Sequence, residues 1–363
     1  MNIKQYFNRL LNLEKLSNLL TQKTCSKIKL VAIAKNEAAY LVEWIYHHLH
    51  FGFTHIEIHI NATTDNTDEL IQKLAPLEQV KFINADETFN NPNIKFPQMH
   101  VYNEALSAGA LEHFTHIMFL DIDEFWIPTN FTSSIYDCVK RLKGDVISFE
   151  WFLKYAESLP FSPVIPTKLS GKKSAQLKSI VKTGLITTYA SPHNMVVPQG
   201  SNMLADGSIF HPTKENFSVA PNIDESAPVK DYFVLHRMFR SQDEYVAMLG
   251  RTNPFKRPSF NSTFKDNRFG YDANEVGMEI AFPATEVERY NNEYTQFRQS
   301  FELDSTIDKA RSFVMTRKKE VIQQIKDAPL NEHKILKKIL KHVTDQETTT
   351  AFAQFKSRHH LPL

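Results

Sequence analysis

The chain has 363 residues, 42% of them hydrophobic and 23% charged, with a formal net charge of +1. That is ordinary globular composition, enough for one large domain or two modest ones, and a near-neutral balance without a basic repeat excludes bulk attraction to nucleic acid. Two distant cysteines, Cys25 and Cys138, lack any CxxC partner, which argues against a disulfide framework or a cysteine zinc site and for a reducing, cytoplasmic setting.

No apolar run approaches the ~20 residues of a membrane-spanning helix. Residues 1–24 carry Leu, Phe and Ile at helical spacing, interrupted by Asn, Arg, Glu and Lys, with no small-residue cleavage site. They predict an amphipathic helix, either packed on the protein or serving peripheral attachment to the inner face of a membrane or dimerisation. "IKLVAIA" (28–34) predicts a buried strand and "AAYLVEWIYHHLHF" a helix. "HIEIHI", "VKFINA" and "HIMFLD" predict further strands, separated by the helical stretches "TDELIQKLAPL" and "PQMHVYNEALSAGALEH". "SSIYDCVKRLKG" and "DVISFEW" add one more helix and strand. Strands alternating with helices of this length predict an α/β protein with a doubly wound, mostly parallel sheet. From Trp151 to about residue 235, prolines, Ser/Thr-rich turns and short mixed strands predict an irregular β-rich half, and helices return from Ser241.

Ligands of an open parallel sheet bind outside the carboxyl ends of its strands. Three of those ends carry polar clusters: Lys35-Asn36-Glu37, Asn61 to Asp65, and Asp121-Ile122-Asp123-Glu124. Asp and Asn also cap helices and build turns, so each cluster alone has a structural explanation. The third is the sharpest. Carboxylates at i and i+2 beyond a buried strand repel one another and call for positive charge, which a hard divalent ion, Mg2+ or Mn2+, would supply with waters and a diphosphate completing its shell. A solvated turn is the plainer alternative. His47, His48 and His50 read as core and surface, and Trp44, Trp126 and Trp151 as core, with the last two close enough to the rim to stack on a sugar.

"VAIAKNEAAYLVEWIYHHLHFGFTHIEIHINATTDNTDEL" followed by "FLDIDEFWIP" resembles the GT-A fold glycosyltransferases, of the family 2 and family 92 type found in bacterial surface-polysaccharide clusters. "LKSIVKT", "SPHN" and "VLHRMFRSQDEYVAMLGR" extend the likeness, over about residues 28–255. The chain departs from the pattern at Asn61 and Thr63 in the second loop, and at Arg237, where an aromatic residue is usual. The resemblance implies that Lys35, Asn36, Glu37 and Asn61 line the donor pocket and that Asp65 contacts base or ribose. It further implies that Asp121 holds the ribose or a metal-bound water, or joins Asp123 as a metal ligand, and that His236 returns across the site as a late ligand. A neutral imidazole would complete such a shell without adding negative charge. Lys178 and Lys182, with Lys172 and Lys173, are candidates to steady phosphate, His193 can face either substrate, and Arg237 and Arg240 are candidates to neutralise the departing diphosphate.

The expected organisation is an N-terminal helix (1–24), a GT-A domain (25–255, nucleotide half 28–150, acceptor half 151–255) and a helical region (256–363). The expected activity is a metal-dependent, inverting hexosyl transfer from a nucleotide-diphosphate sugar, UDP-linked, to a saccharide acceptor of a cell-surface polysaccharide or lipopolysaccharide. Glu150 and Glu157, flanking Trp151, are the candidate general bases. Two alternatives stay open. "FLDIDEF" also resembles the strand-end motif of aspartate-nucleophile phosphatases, although that motif normally ends the first strand and three βα units precede it here. A non-catalytic saccharide-binding protein is the other.

Overall fold

The computed structural model describes residues 27–185, 189–191, 193–197, 200–212, 218–219, 224, 226–250, 262–272 and 277–362. The helix predicted for residues 1–24 lies outside them, as does most of "FSVAPN" (217–222), a segment of the irregular half expected to hold short mixed strands.

The strands follow the apolar runs: β1 (Ile28–Ala34), β2 (His55–Ile60), β3 (Val80–Asn84) and β4 (His116–Phe119). Between them lie α1 (Ala38–His50), α2 (Thr67–Leu74), the short α3 (Asp86–Asn90) and α4 (Pro97–Leu111). β5 (Glu124–Pro128), α5 (Ile135–Leu142), β6 (Val146–Lys154) and β7 (Lys168–Lys182) come next. The irregular half contributes β8 (Tyr189–Ala190), β9 (Met195–Val196), β10 (Asn202–Leu204) and β11 (Tyr232–His236). After it come α6 (Gln242–Leu249), β12 (Met278–Ala281), α7 (Ala284–Ser300), α8 (Asp304–Asp327), α9 (His333–Ile339) and α10 (Gln346–Arg358).

The large sheet has the order β3-β2-β1-β4-β7-β6-β11-β5, with β10 beside β6 and β12 beside β7. β3, β2, β1 and β4 run parallel. β7 turns antiparallel to β4, and β5 antiparallel to β11. The doubly wound α/β class is therefore as expected, and β5 is an addition: the residues after the acidic motif reverse direction and pair with a strand more than a hundred residues downstream.

The chain divides into two compact units. The first comprises residues up to 153, 165–236 and 278–307, and the second 154–164, 237–277 and 308–363. In the first, Leu30, Val31, Ala32, Ile56, Ile58, Ile117 and Met118 are sealed from water, as expected for parallel strands covered on both faces. α1 is buried nearly all round; its His47 and His48 rings bond the carbonyl oxygens of Trp126 and Trp44, which makes them core residues. Tyr46 and His47 also meet Tyr290 of α7 through hydrogen bonds. The second unit is a helical cluster around Tyr245, Leu249, Phe264, Val321, Ile325, Leu336, Ile339 and Phe355. In it, Ser241 and Glu244 cap α6 reciprocally.

β1 buries one charge among its aliphatics. The Lys29 ammonium lies 3.1 Å from Glu57 and 2.6 Å from Glu112, and His59 donates to the other Glu57 oxygen at 2.9 Å. Burial alone would push the Glu57 carboxyl up, but the His59 hydrogen bond and the Lys29 charge outweigh it and hold the group at about 2. Because that value lies below the ordinary carboxylate range, the network stabilises the native state fully above about pH 4.5 and loses that contribution as pH falls toward 2. Glu57→Gln should therefore be clearly less stable than the wild type near neutrality, and the gap between their urea midpoints should narrow at about pH 3.

Candidate active site

The carboxyl edge of β1, β2 and β4 gathers the three polar loops, and two of them are fastened together. Asn36 adopts a left-handed backbone with φ of 55°. Its side-chain oxygen accepts from the backbone N–H groups of Thr64 and Asp65, at 2.6 and 3.2 Å. Asp65 answers: one carboxylate oxygen accepts from the Ala38 N–H at the start of α1, and the other from the Thr67 N–H and hydroxyl at the start of α2. Asn36 and Asp65 thus fasten the two loops to each other. Lys35 projects into solvent and Glu37 is half-buried, while Asn61 is buried with its N–H on the Ala34 carbonyl. Asp86, beyond β3, accepts from the Ala62 N–H at 2.6 Å and completes this rim.

The acidic motif is a turn, not a continuation of β4. The Glu124 N–H donates to the Asp121 carbonyl at 3.0 Å, and the Glu124 carboxylate accepts from the Asp121 N–H at 2.9 Å. The Trp44 indole N–H, from α1, reaches both the Asp121 and Glu124 carbonyls. Ile122 and Glu124 point inward, leaving the Asp121 side chain 45% and the Asp123 side chain 21% exposed.

The positive charge comes first from Lys178 on β7. Its side chain is fully buried, 2.8 Å from Glu124 and 3.2 Å from Asp121. Burial pushes the Glu124 carboxyl up to about 7 against the pull of Lys178. Burial works against the Lys178 charge too, yet Asp121 and Glu124 together hold it protonated, with a raised pKa. Tyr102 of α4, also fully buried, lies against Phe119 in this corner and accepts from the Gln98 amide.

His236 arrives by register. It is the residue opposite Glu124 in the antiparallel β5–β11 pairing, and its Nε2 lies 3.5 Å from the Asp123 carboxylate. Trp151 of β6 packs on the His236 ring, with centroids 4.4 Å apart, and on the His193 ring at 5.3 Å.

Asp121, Asp123, Lys178, His193 and His236 are therefore brought together, and Trp44, Glu124 and Trp151 join them. Other candidates are held by partners of their own. Glu150 is next to Trp151 on β6, so it points to the opposite face of the sheet. There it is buried, 3.8 Å from Lys173 and 3.5 Å from Lys230. In the second unit, Glu157 is clasped by the Arg237 guanidinium and by Lys154 at 2.7 Å. Burial pushes its carboxyl up, but those two cations bring it below the usual carboxylate range. Lys182 lies beside His116, at the opposite end of β4 from the acidic turn, near Asp145. Trp126, fully buried among Phe51, Phe53, Phe149 and Tyr232, has no face left for a sugar, which corrects the stacking role considered for it.

This architecture, with a polar parallel-strand edge and an acidic turn beyond the fourth strand, is GT-A-like. Residues 30–197, just under half of the chain, match the family model described as glycosyltransferase family 92. No curated protein sequence matches the chain. Among solved structures it is similar to S. aureus TarS, at 12% identity over 43% of this chain and 28% of that one, with a TM-score of 0.26. It is also similar to HddC from Yersinia pseudotuberculosis, at 10% identity over 49% and 90% of the two chains, with a TM-score of 0.29. The same holds for 4-diphosphocytidyl-2C-methyl-D-erythritol synthase, at 12% identity over 54% and 94%, with a TM-score of 0.28. All three superpose only loosely. Among the described residues no helix is long and apolar enough to cross a membrane.

Removing Lys178 leaves a buried carboxylate uncompensated. Lys178→Met should cost about 3–5 kcal/mol in urea unfolding, and adding Glu124→Gln should recover part of that loss, a coupling that a double-mutant cycle would measure.

Proposed function

We propose that the chain is a metal-dependent, inverting glycosyltransferase that moves a sugar from a nucleotide-diphosphate donor, UDP-linked, to a hydroxyl of a cell-surface saccharide. The observation that carries this reading is the Asp123–His236 pair beside the Lys178-backed acidic turn. The two donor atoms, 3.5 Å apart, are near the ~3 Å edge of an octahedron with bonds of ~2.1 Å, so Asp123 and His236 suit a shared Mg2+ or Mn2+. Among the described residues no three His, Cys, Asp or Glu side chains converge as a complete metal site. In this reading Asp123 and His236 would hold the ion, with Asp121 beside them. When bound, the ion supplies Lewis-acid stabilisation of the negative charge that builds on the leaving diphosphate.

The protein's own part is positional. Lys178, Glu124 and Trp44 hold the turn that aims Asp121 and Asp123, the fastened Asn36 and Asp65 loops shape the nucleotide wall, and exposed Lys35 supplies a point charge near the donor. The acceptor hydroxyl then displaces the diphosphate at the anomeric carbon, which inverts its configuration, and the hydroxyl proton passes to a carboxylate general base.

Thermal shift and turnover test this with UDP-glucose, UDP-galactose and UDP-N-acetylglucosamine, with and without Mn2+. The wild type should be stabilised by UDP only when Mn2+ is present, since a ligand that binds the native state alone raises its apparent stability. Asp123→Ala should keep the unliganded melting temperature, lose the Mn2+-dependent shift, and lose about 100-fold or more in turnover. Turnover indifferent to chelator would reject metal dependence.

A further inference from the structure

Trp151 packs on two imidazoles whose ring nitrogens face different partners. His236 turns Nε2 toward Asp123. His193, preceding β9, instead places Nδ1 3.3 Å from the Leu177 carbonyl oxygen, which can only accept a hydrogen bond. Nδ1 must therefore carry the ring proton, and in a neutral ring Nε2 is left as an acceptor. The ring is neutral at ordinary pH: burial, reinforced by the Lys178 charge, pushes its pKa down to about 4. The rest of the residue is anchored, with its N–H on the Ser191 hydroxyl and its carbonyl accepting from Ser179. Among the described residues Nε2 itself makes no hydrogen bond.

A neutral acceptor does not suit a phosphate oxygen, which has no proton to offer near neutrality. It suits a hydroxyl. We infer that His193 forms a saccharide subsite in which Nε2 accepts a hydrogen bond from a sugar hydroxyl. The inference rests on the glycosyltransferase reading above and identifies the group recognised. That hydroxyl belongs to the donor sugar or to the acceptor saccharide.

Two substitutions separate this role from a structural one. His193→Asn keeps an amide donor for the Leu177 carbonyl but places nothing where Nε2 lies, whereas His193→Gln reaches the Nε2 position with an amide oxygen. With the UDP-sugars above as donors and methyl glycosides as acceptors, His193→Asn should lose about ten-fold in kcat/KM, the value of one hydrogen bond, and His193→Gln should recover most of it. A loss confined to the KM of the UDP-sugar assigns the hydroxyl to the donor; one confined to the KM of the glycoside assigns it to the acceptor. Wild-type activity in His193→Asn would overturn the subsite.

An independent readout is the ring nitrogen spectrum of the 15N-histidine-labelled full chain, with His193 assigned by its loss in the variants. The Nδ1-protonated tautomer is expected, and the Nε2-protonated form would overturn the inference. If the wild type turns over no nucleotide sugar, the transferase reading fails by itself. The subsite is then decided by the methyl glycosides, which must move the His193 Nε2 resonance if it exists and overturn it if they do not.

Discussion

A lysine ammonium sealed away from water organises the acidic end of β4. Lys178 lies within 3.2 Å of both Asp121 and Glu124, and a buried charge persists only where partners of opposite sign and good geometry repay its desolvation. Glu124 is as buried as the lysine, so the pair excludes water from beneath the turn while Asp121 and Asp123 stay at its surface. One carboxylate of the motif is thus spent on structure, and two stay at the surface. The opposite allocation would put an unpaired carboxylate in the core.

The rest of the site is placed by register. β7 brings Lys178 alongside the end of β4, and β11 brings His236 opposite Glu124. Slipping β11 by one residue would turn the imidazole to the other face of the sheet. Alternation on β6 does the same sorting at shorter range. Trp151 joins the two histidines, while its neighbour Glu150 faces Lys173 and Lys230 on the reverse side. The loops after β1 and β2 depend on shorter links, where Asn36 and Asp65 use their side-chain oxygens to tie them to each other and to two helix starts.

Much of this was legible in the chain itself. Apolar runs of strand length, spaced by helical stretches, determined the α/β class, the first four strands and which loops share the carboxyl edge, because burial on both faces demands continuous aliphatic strands. The acidic motif and its need for positive charge are equally legible in the residues 121–124. Only the tertiary structure decided where that charge comes from. Lys178 stands 57 positions from Asp121, and one lysine among many on a mixed-polarity strand carries no local mark of burial. Nor could spacing tell that Asp65 is spent on capping, that Glu157 is held by Arg237 and Lys154, or that Trp126 is enclosed. A residue's type limits what chemistry it can do, but which partner it meets depends on strand register and helix packing, and these are settled by the whole fold.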